Sequence, residues 1–148
     1  HENVAVLRTF SKAYGLAGLR VGYGVTHEPV TTGLRATSLP FGVGSPAQAA
    51  ALAALRHTAE LDQRVSAVVA ERSRVRAALA DIGWDVPSSE GNFVWLEARD
   101  STAGLAARCR DAGVAVRAFD GEGVRVTIGT PADNDRLLEA VARESRTR

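Results

Sequence analysis

The chain has 148 residues, 45% of them hydrophobic, and a formal charge of +1, which supports a packed core and excludes a disordered chain. Its arginines are scattered among acids rather than gathered into a stripe, so the footprint of a nucleic-acid binder is missing and no nucleic-acid partner is expected. No apolar run reaches membrane-spanning length and no signal-peptide pattern opens the chain, while the lone Cys109 excludes an internal disulfide and points to a reducing, cytoplasmic compartment.

The chain starts His1-Glu2-Asn3, without methionine, and enters a strand-like run almost at once. That start reads as a fragment or processed piece of a longer protein. Residues 4–10 and 20–25 are short, apolar and rich in β-branched side chains, which predicts two strands flanking a loop punctuated by Gly15 and Gly18. Residues 29–36 predict a short helix and 39–44 an irregular connection. Ser45-Pro46 is a helix start, a hydroxyl cap followed by proline at the first helical position. Alanine-rich helical composition then runs to Ile82, with a break expected near residues 57–62 and a stop at Gly83. In its second half the apolar positions Val65, Val68, Val69, Val75 and Leu79 predict a core-facing stripe, and Arg64, Arg72, Arg74 and Arg76 its solvated face.

Past Gly83 the texture becomes a compact α/β pattern. Strands are predicted at 92–98, 114–119 and 124–128, the last two joined by the turn Asp120-Gly121-Glu122-Gly123, with a helix at 102–112 ending at Gly113. A final helix opens at Thr130-Pro131-Ala132-Asp133, a cap plus proline with an acid in the first turn. The expected organisation is therefore three segments, 1–45, 46–82 as a linking helical segment, and 83–148 as a small α/β domain.

Of the eighteen lysine and arginine residues only Lys12 is a lysine. Arginine stays protonated, whereas a lysine amine can attack a carbonyl and form a Schiff base. Around it stand Thr9, Ser11, Gly18 and Arg20: two hydroxyls, a glycine-punctuated loop and a fork-shaped cation, the donors that a phosphate monoester takes. An amine beside a phosphate cup suggests a phosphorylated aldehyde, with pyridoxal phosphate the obvious candidate. The plainer alternative is a strand connection whose polar groups satisfy local backbone. On the strand at 124–128, Val124, Val126 and Ile128 share one face, so Arg125 and Thr127 share the other. An arginine fixed on a strand is a bidentate receptor for carboxylate or phosphate, or else one half of a surface ion pair. His1, His27, His57 and Cys109 lack metal-ligand spacing, and no metal site is expected.

The run of residues 8–23, Arg-Thr-Phe-Ser-Lys-Ala-Tyr-Gly-Leu-Ala-Gly-Leu-Arg-Val-Gly-Tyr, resembles the cofactor-lysine signature of fold type I pyridoxal-phosphate aminotransferases. It is most similar to the subgroup of histidinol-phosphate and aromatic amino acid (phenylalanine) aminotransferases. The resemblance continues through 89–95 and 123–135. It implies the end of the large cofactor-binding domain in residues 1–45, then the linking segment, then the small C-terminal domain. It further implies that Lys12 is the Schiff-base lysine and that Ser11, Arg20 and Thr9 hold the cofactor phosphate. Arg125 matches the arginine that grips a substrate carboxylate or phosphate, and Arg117 matches a second arginine that assists it. Asn92 is either a substrate-side donor or a strand-end turn residue.

The implied reaction moves an amino group between an amino acid, aromatic or histidinol phosphate, and a 2-oxo acid, in a parent protein that is a homodimer. Such enzymes also draw an aspartate, an asparagine and a tyrosine from upstream sequence, so the resemblance implies little turnover for this piece alone. A decarboxylase of the same fold, like threonine-phosphate decarboxylase, and the aminotransferase-like sensor domain of a transcriptional regulator are the alternatives. The short link between Arg117 and Arg125 and the Asn92-Phe93-Val94-Trp95 strand lean toward the aromatic type.

Overall fold

A computed structural model describes residues 2–142; His1 and the last six residues of the expected 83–148 segment lie outside the described residues. The chain divides into two compact units that meet between Val65 and Ser66. No helix among the described residues is long and apolar enough to cross a membrane.

The first unit begins with an antiparallel pair, β1 (Ala5–Thr9) and β2 (Gly22–Thr26), in which Thr9 stands opposite Gly22 and Ala5 opposite Thr26. The second strand starts two residues later than its composition suggests, because Arg20 adopts a left-handed conformation (φ 52°, ψ 46°) at the end of a 3-10 turn, Ala17–Leu19. Helix α1 (Glu28–Thr37) follows, with His27 as its cap residue and proline in its first turn. Helix α2 (Ser45–Ala54) starts one residue earlier than Ser45-Pro46 implies: Gly44 is the cap residue, Ser45 is already helical, and no side chain caps the end. The break comes at residues 55–57, earlier than the expected 57–62, because α3 (Thr58–Asp81) already begins at Thr58.

The second unit is built on a three-stranded antiparallel sheet in the order β3 (Phe93–Glu97), β5 (Gly123–Thr127), β4 (Arg117–Phe119). One face of the sheet is closed. Val94 and Leu96 from β3, Val124 and Val126 from β5, and Ile128 just beyond it pack with Val75 and Leu79 of α3. Leu105 and Cys109 of α4 (Thr102–Asp111) and Leu137 and Val141 of α5 (Pro131–Ala142) complete that core. Alternation along the strands produces this outcome, since every second side chain is apolar and turned inward.

Helices α3 and α4 end alike. Gly83 and Gly113 take positive φ, and paired backbone bonds (Trp84 N–H to Leu79 O with Gly83 N–H to Ala80 O; Val114 N–H to Cys109 O with Gly113 N–H to Arg110 O) close each last turn. Helix α5 opens with the expected cap: Thr130 Oγ1 accepts from Asp133 N–H, and Asp133 Oδ2 accepts in return from the Thr130 hydroxyl and backbone N–H.

The stripe on α3 is only partly realised. Val75 and Leu79 are buried and Val68 is packed against the core, but Val65 and Val69 are exposed. Arg72, expected on the solvated face, is 6% exposed. Its guanidinium donates to Gly91 O at 2.8 Å and to Glu90 Oε2 at 3.2 Å, so the stem crosses apolar surface while the head ties α3 to the segment before β3.

Candidate functional site

The loop between β1 and β2 carries Lys12. Its shape is set by Phe10, the residue after β1, which is buried against Tyr14 and Tyr23 with ring centroids 4.7 and 6.1 Å away. Phe10 N–H donates to Val21 O and Phe10 O accepts from Leu16 N–H, so this residue pins both arms of the loop. Within it, Gly15 N–H donates to Lys12 O at 2.9 Å. Gly15 sits at φ 71°, a conformation that a residue bearing a Cβ adopts only with strain. From the start of α3, Arg64 Nη1 donates to Ala13 O at 3.3 Å and braces the loop further.

This frame leaves the polar groups of the loop available. Lys12 is exposed, and its amine makes no hydrogen bond or ion pair among the described residues. Thr9 Oγ1 accepts from Ser11 N–H at 3.0 Å, which draws Ser11 back over the strand end and leaves the Thr9 hydroxyl proton free to donate. Arg20 Nη1 donates to Ala17 O at 2.8 Å, which uses one nitrogen of the guanidinium and leaves the rest of the fork unengaged. A non-glycine residue in the left-handed region is costly, and such strain collects where a side chain is held for a purpose. Two hydroxyls, an arginine fork and an unpaired amine within twelve residues suit a phosphorylated aldehyde: the oxygens of the phosphate find donors and the aldehyde finds a nucleophile.

The second group of expected residues belongs to the second unit. Arg125, central on β5, lies on the face of the sheet away from the core, directly opposite Trp95 of β3 on one side and Arg117 of β4 on the other. Phe93, Trp95, Phe119 and Thr127 share that face, as the strand registers require. Neither Arg117 nor Arg125 has an ion pair or hydrogen bond among the described residues. Like charges placed directly opposite across a ladder repel, so the pair is left with an unmet demand for an anion. Asn92 precedes β3. Its carbonyl accepts from Ile128 N–H at 2.9 Å, while its side chain has no partner among the described residues.

A network behind this sheet fixes the end of β5. Asn134, buried in α5, donates through Nδ2 to Glu71 Oε1 at 2.9 Å and to Gly129 O at 3.1 Å, and accepts from Gly129 N–H at 3.1 Å. Arg74 bridges Glu71 (2.6 Å) and Asp135 (2.8 Å). The Arg74 guanidinium, and then the Asn134 amide, hold the Glu71 carboxyl below the usual carboxylate range. Thr130, hydrogen-bonded to the Asp133 carboxylate, lowers Asp133 likewise.

Sequence reasoning missed Phe10, Arg64 and Arg72. A buried aromatic directly before Ser11-Lys12 was a usable signal for Phe10, since strand ends that anchor loops bury such rings. Arg64 and Arg72 gave none, because on a helix dense in arginine the composition does not say which guanidinium meets a backbone carbonyl.

The α/β arrangement is that of solved pyridoxal-phosphate aminotransferases. Histidinol-phosphate aminotransferase from Sinorhizobium meliloti, solved in complex with pyridoxal-5'-phosphate, superposes with a TM-score of 0.86 at 30% identity over 99% of this chain and 42% of its own. L-threonine-O-3-phosphate decarboxylase from Porphyromonas gingivalis gives 0.84 at 26% identity, over 99% of this chain and 48% of its own. In sequence, the aromatic amino acid aminotransferase of Streptomyces avermitilis is 57% identical over 141 residues, 95% of this chain and 39% of the relative. The family model described as aminotransferase class I and II matches residues 1–141, and the chain belongs to that family. It spans about two-fifths of the length of the curated relatives it matches.

Proposed function

We propose that the intact protein is a pyridoxal-phosphate aminotransferase that moves an amino group between an aromatic amino acid and a 2-oxo acid. The observation that carries this reading is the unpaired Lys12 amine in a braced loop flanked by the free donors of Thr9, Ser11 and Arg20. The similarity to the Streptomyces avermitilis enzyme supports the aromatic substrate, and the likeness to the Sinorhizobium meliloti protein supports the cofactor and keeps histidinol phosphate as the second substrate candidate.

When bound, pyridoxal phosphate supplies an aldehyde that accepts an amino group and a ring that withdraws electrons from the α-carbon. The chain's own residues have separate tasks. Ser11 and Thr9 would hold the phosphate through their hydroxyls and Arg20 through its guanidinium. Lys12 Nζ would be the amine that anchors the aldehyde and, as a free amine, the base that moves the substrate α-proton. Arg125 receives the substrate carboxylate, with Arg117 adding charge at its side and Asn92 a donor at the strand end.

Residues 1–45 would close the cofactor-binding domain, 46–82 link it, and 83–148 form the substrate-gripping domain, in a homodimer located in the cytoplasm. The lone, buried Cys109 agrees with a reducing compartment. Decarboxylation on the same scaffold is the rival reading. Incubating the intact protein with phenylalanine, 2-oxoglutarate and cofactor separates them: the proposal expects phenylpyruvate without carbon dioxide, and carbon dioxide without the oxo acid contradicts it.

A further inference from the structure

Arg117 and Arg125, without a hydrogen bond or ion pair among the described residues, are each held against a ring. Arg125 Cζ lies 5.3 Å from the centroid of Phe93, its diagonal neighbour on β3, and Arg117 Cζ lies 5.0 Å from Phe119, two residues along its own strand. Phe119 is in turn fixed by an edge contact with Trp95, centroids 5.6 Å apart at 66°. That contact spans β5 because Gly123 lies between them: a Cβ there would stand 2.9 Å from Trp95 Cζ2.

An arginine without an anionic partner has several rotatable bonds and no fixed head position, and repulsion from the opposite guanidinium adds to the spread. A ring face within about 6 Å counters both effects, because its negative quadrupole attracts the cation and its plane limits where the fork can turn. We propose that Phe93 is a positioning residue for substrate binding: its ring holds the Arg125 guanidinium toward β3 and away from Arg117, so that the fork meets an incoming carboxylate already oriented. This rests on the reading of Arg125 as the carboxylate receptor. Phe93 stands beside Arg125 on the same sheet of the second unit, so its effect falls on acid binding.

The test is steady-state kinetics of the intact holoenzyme, with the dissociation constant of 3-phenylpropionate, an aromatic carboxylate that carries no amine, as a second readout. Phe93→Leu keeps apolar bulk but removes the ring, and Phe93→Met does the same with a flexible chain should the leucine variant fold poorly. Loss of an exposed cation–π contact predicts a rise of roughly 2–5-fold in KM for the amino acid and in the dissociation constant. The KM rise exceeds the fall in kcat, and Phe93→Tyr, which restores a ring face, returns both constants toward the parent values. A purely structural role would instead lower the melting temperature and kcat together and would not be rescued by tyrosine. Arg125→Leu separates the two layers of inference. If it raises KM steeply while Phe93→Leu and Phe93→Met leave acid binding unchanged, the positioning role is overturned and the receptor reading stands. If Arg125→Leu itself leaves acid binding unchanged, both are overturned.

Discussion

The two units solve burial differently. The second closes one face of its sheet with three helices, and buried residues from α3, β3, α4, β5 and α5 meet with Ile128 in one cluster. The first buries Phe10, Ala47 and Ala51, while Leu7 is 76% exposed on β1 and Phe41, at positive φ in the connection before α2, is fully exposed. A two-stranded ribbon is not stable on its own. The unit with the proposed cofactor lysine thus rests on local pins, Phe10, Arg64 and the Gly15 turn, whereas the unit with the proposed carboxylate receptor rests on a core.

The largest expected effect comes from separating chemistry from stability in the first unit. Lys12→Arg in the intact protein keeps the charge and removes the nucleophile. It should lower the transamination rate by a factor of roughly 10²–10⁴ or more, the range for losing a positioned proton carrier, while the melting temperature of the cofactor-free chain holds because the exposed Lys12 amine makes no hydrogen bond or ion pair among the described residues. Next, Leu79→Ala or Leu105→Ala in the closed core should cost about 2–5 kcal/mol in denaturant melts of the chain. Leu7→Ala in the same assay should stay within about 0.5 kcal/mol, as for surface positions. Equal losses at Leu79 and Leu7 would break the comparison.

Asn134→Ala takes the side-chain partner from the Gly129 N–H and carbonyl and leaves Glu71 Oε1 with Arg74 alone, and should cost about 1–3 kcal/mol. Gly129 lies two residues beyond β5, the strand that carries Arg125, so the acid-binding constant is a second readout. The smallest effect is pH dependence. Glu71 is held below its ordinary value of 4.5 in the folded chain, so its stabilising contribution is fully present above that value and is lost as pH falls through the lower, folded value. Glu71→Gln should therefore flatten the acid limb of a stability–pH curve below about pH 4.5 and leave neutral-pH dependence alone.

Much of the second unit was legible because its signals are local. Alternation put Val124 and Val126 on one face and Arg125 on the other, Gly83 and Gly113 marked helix ends, and Thr130-Pro131 with Asp133 marked a capped start. The proposed cofactor site was legible for another reason: its residues are close in sequence, and one lysine among arginines drew attention to them. What escaped depends on tertiary partners. The burial of Arg72 requires the backbone of Gly91 nineteen residues on, and the exposure of Val65 and Val69 on α3 cannot be told from an apolar stripe. The left-handed Arg20 delayed the start of a predicted strand because the 3-10 turn before it needed a reversal that composition does not announce.

The most direct test of the central claim is covalent. The intact protein is incubated with pyridoxal phosphate, reduced with borohydride to fix any bond between an amine and the aldehyde, digested, and mapped by mass spectrometry. The account predicts one stoichiometric label, on Lys12, in the peptide that carries Ser11 and Tyr14; stoichiometric label on another amine, or none on Lys12, would contradict it.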